Sequence, residues 1–261
     1  MHLSSPDAEV VVDLEAGGRL RSLRVHGHEL LVGRLDHPMM WGSFPMIPWA
    51  GRIRDARFSW RETTAVYPAH ADGHALHGTT YTRPWTQVAD AAIRCDLGPT
   101  WPWPGHALQR FELDGGALRQ VIEVHAETEP MPASVGWHPW FRRHLDGVAV
   151  EVDLAAGAMA ERDEAGLPSG RWLRPPPPGP WDDCFAELER PPVVRWPGVL
   201  EVEIDSDCLH YVVFDELDHT VCVEPQTDLP DVLNHSPAVV EPGAPLVATT
   251  TWRWRVSSGA A

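Results

Sequence analysis

The stretch Ala107-Leu108-Gln109-Arg110-Phe111-Glu112-Leu113-Asp114-Gly115-Gly116-Ala117-Leu118-Arg119-Gln120-Val121-Ile122-Glu123-Val124-His125-Ala126 reads as two β-strands, Ala107–Leu113 and Ala117–Ala126, folded back at Asp114-Gly115-Gly116. Asp and Gly tolerate the positive φ that a tight hairpin requires. The same pattern continues outward. Toward the N-terminus, Glu9–Leu14 leads through Gly17-Gly18 into Arg19–Val25, followed by Gly27 and the short run Glu29–Val32. Phe58–Tyr67 and Trp85–Cys95 read as single strands. Toward the C-terminus come Val148–Leu154, Leu200–Ile204, Tyr211–Phe214, Thr220–Val223 and Leu246–Val256. In the last of these, Trp252 and Trp254 alternate with Arg253 and Arg255, as on a strand with one wet face.

Helical periodicity is scarce, and 26 prolines and 21 glycines punctuate the chain at intervals that suit short strands joined by loops. The expected class is all-β. Pro175–Pro178 reads as an extended surface loop before Trp181, and strands of the same kind continue on both sides of it. One domain over residues 1–261 is therefore expected. The tail Ser257–Ala261 is expected to fray.

A hydrophobic fraction of 43% supports a sizeable core. No apolar run approaches the roughly 18 residues of a membrane span. Met1–Glu15 has neither a basic nor an apolar leader region, which gives the expectation of a cytoplasmic location. A net charge of −16 disfavours nucleic acid, whose phosphates call for a basic surface. All 21 basic residues are arginine. Without lysine, Schiff-base catalysis, a P-loop lysine and a pyridoxal-phosphate anchor are excluded. Cys95, Cys184, Cys208 and Cys222 are dispersed, and read as reduced thiols in the core. Cys222 shares a strand face with Glu224 and reads as a small core filler.

Five segments carry candidate chemistry. Phe44–Arg54 is apolar, rich in Pro and Gly, and ends in Gly51-Arg52-Ile53-Arg54. It either presents the Arg52 fork to hydroxyls or a phosphate in a pocket, or leaves Arg52 and Arg54 as exposed strand residues. His70, His74 and His77 have the spacing of a metal face on a helix. However, Asp72-Gly73 and His77-Gly78 break helical geometry, so no metal is expected, and His77 reads as a pocket hydrogen-bond donor. His138 stands between Trp137 and Pro139-Trp140-Phe141. Desolvation lowers the pKa of such an imidazole and a nearby carboxylate raises it, which can poise it near neutral pH; the alternative is a satisfied core histidine. Glu224 closes the run Thr220–Glu224 before Pro225, so its carboxylate is expected at a sheet rim, as a general base or a solvated strand end. Trp181-Asp182-Asp183-Cys184-Phe185 can aim one carboxylate at hydroxyls.

In this order the segments resemble the aldose 1-epimerase (galactose mutarotase-like) family. The resemblance lies in Gly51-Arg52-Ile53 with Ala56-Arg57-Phe58, Leu76-His77-Gly78, His138-Pro139-Trp140-Phe141, Asp182-Asp183-Cys184-Phe185, and Val223-Glu224-Pro225-Gln226-Thr227 continuing to Pro230-Asp231 and Asn234. It runs from about Leu14 to Arg255. It implies a large antiparallel β-sandwich and an open sugar cleft. It further implies Glu224 as general base, His138 as general acid, His77 as a hydrogen-bond donor near the reacting end, and Arg52, Asp182 (or Asp183) and Gln226 as sugar-binding groups. It implies no cofactor and no metal, and a small-molecule sugar as the partner; charge and hydropathy already give the expectation of no nucleic acid and no membrane, and no oligomeric state follows. The implied reaction interconverts the anomers of a free hexose. Two alternatives remain: a hexose-6-phosphate 1-epimerase holding the phosphate with Arg54, Arg83, Arg142 or Arg143, and a non-catalytic carbohydrate-binding sandwich.

Overall fold

Period-two alternation builds two large antiparallel sheets in the computed structural model, which describes residues 1–257. The larger has twelve strands. Its main path runs His2–Ser4, Ala8–Asp13, Arg19–Val25, Ser43–Met46, Gly136–Pro139, Thr220–Gln226, His210–Phe214, Asp182–Leu188, Ala156–Arg162, Pro168–Leu173. The smaller has eight: Thr86–Ala89, Ala92–Asp96, Gly105–Asp114, Ala117–Ala126, Leu246–Val256, Leu200–Ser206, Val193–Trp196, Glu151–Asp153. Strands from both halves of the chain meet in each sheet. The described residues contain no α-helix, only the single 3-10 turns Arg54–Ala56 and Val232–Asn234, and no helix long and apolar enough to cross a membrane.

The main core lies between the sheets. Phe141, from a short strand paired with Thr220–Gln226, meets Trp252 and Trp196 of the smaller sheet at ring-centroid distances of 5.2 and 6.4 Å. Truncating a fully buried tryptophan of this kind to alanine removes about 3–5 kcal/mol. The hairpin at residues 107–126 has Asp114 paired with Ala117 across Gly115-Gly116, as its sequence requires.

Three strand readings need correction. Phe58–Tyr67 is a hairpin, Arg57–Trp60 against Thr63–Val66, turning at Arg61 with φ 53°. Trp85–Cys95 is likewise a hairpin, turning at Asp90-Ala91 between Ala89 and Ala92. Neither turn contains Gly or Pro, so the sequence carried no breaker. Third, the strand through Glu224 does not stop there: it runs to Gln226 with every residue buried. Its pairing toward the 136–142 segment lapses between Gly136↔Gln226 and Phe141↔Val221, and Pro139 and Pro225 both fall in that lapse. Proline is tolerated where a ladder is already broken. Glu224 therefore sits inside the large sheet, not at its rim. At the C-terminus, Ser257 is buried and its N–H is held by the Val199 carbonyl at 3.3 Å, so fraying does not begin there; the rest of that tail lies outside the described residues.

The central strands of the large sheet are apolar on one face and mixed on the other. Val221, Val223, Trp137, Tyr211, Val213 and Phe185 join the inter-sheet core. Their neighbours Cys222, Glu224, His138, Val212, Phe214 and Asp182 point the opposite way, as the pleat dictates. A second apolar cluster, including Met39, Phe44, Met46, Trp140 and Cys222, covers part of that outer face.

Candidate active site

Register places the chemistry on this outer face. Across three neighbouring strands Asp182 pairs with Phe214 and Phe214 with Cys222, while in the next row Val212 pairs with Glu224. From the strand on the other side, His138 reaches across so that its Nε2 lies 3.2 Å from Glu224 Oε1. The two side chains are 7% and 4% exposed. The His138 ring is stacked between Phe44 and Trp140, at 4.8 and 4.7 Å, and meets the His77 ring edge-on at 4.8 Å. Phe44 is itself placed by Arg19, a fully buried guanidinium that donates to the carbonyls of Ala16, Pro38, Trp41 and Tyr81.

A two-stranded ribbon, Arg52–Ile53 against Ala75–Leu76, supplies the rest. Arg52 pairs with Leu76, and the next residue, His77, donates its N–H to the Gly51 carbonyl at 3.0 Å. His77 takes φ 60°, and Gly78 follows at φ 81°. A Cβ on Gly78 would lie 2.0 Å from the Ile47 carbonyl oxygen, so only glycine lets the ribbon close onto the sheet here. Arg52 donates from Nε to Asp72 at 2.8 Å and from Nη2 to Asp182 at 3.4 Å.

Together these elements enclose a cavity of about 270 Å³. Glu224, His138, His77, Arg52 and Asp182 form its polar part, and Met39, Met40, Leu76, Trp140, Val212 and Phe214 its apolar part. Five of the six residues expected from the sequence thus converge. Gln226 does not line the cavity. It is fully buried beyond Glu224, with Nε2 3.7 Å from Cys184 Sγ and Oε1 without a partner among the described residues. Between the two aspartates, Asp182 faces the cavity, while Asp183 pairs with Arg162 at 2.9 Å. Sequence reading passed over Asp72, taken only as part of a turn, and the wall residues Met39, Met40 and Phe214, which carry no polar signal.

Burial dominates the electrostatics. It raises the Glu224 carboxyl well above the usual carboxylate range; Asp182 adds to the rise and Arg52 opposes it. It lowers His138 to about 3. It also holds His77 well below an ordinary imidazole, and the proximity of His138 and Arg52 adds to that. The expectation of a His138 poised near neutral pH is thus corrected: in this enclosure desolvation, with Arg19 adding to it, outweighs the backbone hydrogen bond that raises it. The favoured tautomer is neutral, with one proton on Glu224 and none to spare on His138. For Arg52, burial lowers the pKa, but Asp72 and Asp182 outweigh it and keep the guanidinium charged.

The histidine group weighed for a metal does not assemble. His74 accepts from the Asp55 N–H and lies 3.1 Å from the Ala165 carbonyl. A different set comes together: donor atoms of His138, Cys222 and Glu224 all lie within 4.8 Å of one another. This nitrogen–sulfur–oxygen set is of a type that can take zinc. Burial pushes the Cys222 thiol well above its ordinary pKa, so metal binding there would require that proton to leave. The arginines weighed for a phosphate are committed elsewhere: Arg54 to Asp163 and Asp231, Arg83 to the Leu97 carbonyl, Arg142 to the Leu31 carbonyl, and Arg143 to the Leu217 and Asp215 carbonyls. None lines the cavity.

A sequence model described as aldose 1-epimerase matches residues 1–178, and the chain belongs to that family. The matched part contains Arg52, His77 and His138, with Asp182 and Glu224 beyond it. YphB of Escherichia coli K12 is 29% identical over 104 residues, a stretch covering 38% of this chain and only 36% of that protein. A galactose mutarotase-like protein from Clostridium acetobutylicum superposes with a TM-score of 0.86 over 98% of this chain and 94% of its own, at 16% identity. Galactose 1-epimerase from Lactobacillus acidophilus NCFM superposes with a TM-score of 0.78 over 98% and 94%, at 15% identity. These two structures establish a shared fold, the galactose mutarotase-like β-sandwich.

Proposed function

We propose that this member of the aldose 1-epimerase family interconverts the α and β anomers of an unphosphorylated aldopyranose, with Glu224 and His138 opening and closing the ring. The carrying observation is the buried His138–Glu224 contact of 3.2 Å at the floor of a cavity of about 270 Å³. Two oxygens on one carbon, the C1 hydroxyl and the ring oxygen, present a proton to remove and a site to protonate. An acid and a base held in contact suit that pair.

In the forward direction Glu224, ionised, takes the proton of the C1 hydroxyl. The C1–ring-oxygen bond breaks, and His138, protonated, delivers its proton to the departing ring oxygen. The products are the open-chain aldehyde and the neutral Glu224–His138 tautomer. Rotation about C1–C2 presents the other carbonyl face, and the reverse transfers close the ring. The ionised tautomer that starts the cycle differs from the buried resting one by a single proton shift between the two side chains. Arg52, which favours the ionised carboxylate, and the sugar's own hydroxyls assist that shift. Each proton transfer contributes about 10²–10⁴-fold. His77, Arg52 and Asp182 hold the ring hydroxyls. The arginines weighed for a phosphate all point to other partners, which supports an unphosphorylated substrate.

The test is anomer exchange, by NMR or polarimetry, on galactose, glucose and glucose 6-phosphate. Acceleration of the free sugars is expected, with a kcat loss of about 10²–10⁴-fold in Glu224→Gln. No acceleration with any of the three sinks the reading. Acceleration confined to glucose 6-phosphate overturns the substrate class, and full activity in Glu224→Gln overturns the role of that residue.

A further inference from the structure

Among the described residues, the cavity wall includes no Ser, Thr, Asn, Gln or Tyr side chain. Its polar groups are five: Glu224, His138, His77, Arg52 and Asp182. On the proposed reaction, on which this inference rests, the first two are taken by the C1 hydroxyl and the ring oxygen. His77, edge-on to His138 at 4.8 Å, is next to the reacting end, and Arg52 with Asp182 forms one further hydrogen-bonding group. These three serve the secondary ring hydroxyls. The exocyclic hydroxyl of an aldohexose has no side chain left to meet it.

What remains is apolar and continuous. Trp140 packs edge-on against Phe214 at 5.9 Å. The Met39 carbonyl accepts from Trp140 Nε1 at 2.6 Å, and the Met40 N–H is bound to the His37 carbonyl at 3.1 Å. Gly51 spends its carbonyl on His77, and Pro230 has no N–H to offer. These backbone groups are therefore already engaged or lack a donor. A pyranose ring lays one C–H face on an aromatic side chain, which can account for Trp140 or Phe214 but not also for Met39, Met40 and Leu76. Those side chains call for one more apolar group on the sugar.

We infer that the preferred substrate is a 6-deoxyhexopyranose, whose methyl group packs against Met39, Met40 and Leu76 where an aldohexose would bury a hydroxyl without a partner. The discrimination has a natural scale. An apolar pocket rejects an added hydroxyl by at most about a hundredfold, because the hydroxyl fits and only its lost hydration counts. An advantage of roughly 10- to 100-fold in kcat/KM over the parent hexose is expected.

Two matched series test this by anomer exchange: galactose, 6-deoxygalactose and L-arabinose; and glucose, 6-deoxyglucose and xylose. Members of each series share their ring stereocentres and differ only in the group on C5. The 6-deoxy sugar is expected to lead its series and the pentose, lacking the methyl, to fall behind it. Met40→Gln, which places a carboxamide on the wall, is expected to narrow the ratio of deoxy sugar to hexose. Hexoses equal to or faster than their 6-deoxy counterparts overturn this inference and leave the proposed function standing. A ratio unchanged in Met40→Gln overturns the placement of the methyl group. No acceleration with any of the six sugars overturns both readings.

Discussion

Replacing Glu224 by Gln tests whether the buried pair keeps a proton. In the unfolded chain the carboxyl and the imidazole titrate at their ordinary values, 4.5 and 6.5. In the folded chain burial lifts the first well above 4.5 and drops the second to about 3. Between 4.5 and 6.5 the unfolded pair carries one proton, on His138, and the folded pair also carries one, on Glu224, so the pair adds no slope to stability. Above 6.5 the unfolded pair carries none, and the folded pair one for as long as Glu224 stays protonated. Stability then falls as pH rises, at about 1.4 kcal/mol per unit, until Glu224 titrates in the folded state. Below 4.5 the unfolded pair carries two and the folded pair one. Stability then falls as pH falls, at the same rate, down to the folded value of His138. In Glu224→Gln only His138 remains, so the alkaline loss vanishes and the acid loss begins at 6.5 instead of 4.5. Groups common to both proteins cancel in the difference, which isolates Glu224. Urea unfolding followed by tryptophan fluorescence should show the wild type losing about 1.4 kcal/mol relative to Glu224→Gln between pH 5 and pH 6. A difference that instead grows with pH would mean a folded pair holding no proton there, Glu224 ionised beside a neutral His138, and would refute a buried pair that keeps one.

Gly78→Ala should destabilise the fold by at least the roughly 1–3 kcal/mol of a strained positive φ, because its Cβ would also strike the Ile47 carbonyl; a lowered Tm reads this out. Arg19→Met should cost about 3–5 kcal/mol by stripping the donor from the buried Trp41 carbonyl and from three partly buried bonds to Ala16, Pro38 and Tyr81, and Arg19→Lys should restore less than half, since an ammonium cannot reproduce the planar fork; denaturant midpoints decide it. Asp72→Asn should change stability by under about 1 kcal/mol, because the ion pair is partly exposed, yet raise KM several-fold by loosening Arg52, with kcat little altered. Added zinc should slow anomer exchange, and a chelator should restore it, because the atoms that transfer protons are those that would ligate the ion; rate loss on chelation without added zinc would contradict the metal-free chemistry.

Most strands were legible wherever turns advertised themselves. Asp114-Gly115-Gly116 and Gly17-Gly18 require backbone that few other residues adopt, so the hairpins they join could be read directly. Arg61 and Asp90-Ala91 turn without such residues, and two hairpins looked like single strands. Pro225 misled in the opposite sense: proline normally ends a strand, but here the ladder was already interrupted on one side, which depends on partners more than eighty residues away. The same limit applies to the site. His138, Glu224, Arg52, His77 and Asp182 are chemically conspicuous, whereas Asp72 matters only because a ribbon folds it onto Arg52. Gln226 shares a strand face with Glu224, so its direction was right. One further row along the strand carried it out of the cavity and into the packed sheet.

The placement of Glu224 deep in the sheet, not at its rim, bears on the chemistry. A rim carboxylate would be hydrated, permanently ionised and surrounded by water that competes for the sugar's hydroxyls. In the interior row, ionising the pair costs desolvation of both charges, while the neutral tautomer costs little. On the proposed reaction the neutral tautomer is also the state of the pair when the sugar is ring-opened. Burial therefore stabilises the pair at the intermediate relative to the ionised closed-ring state, which the resting neutral pair reaches only by the uphill proton shift, so ring opening returns what that shift costs. The enclosure does this equally for both anomers, because each closed form starts from the same ionised pair and reaches the same neutral one. A catalyst of a near-balanced equilibrium needs that symmetry, and a single shared proton between two buried groups supplies it.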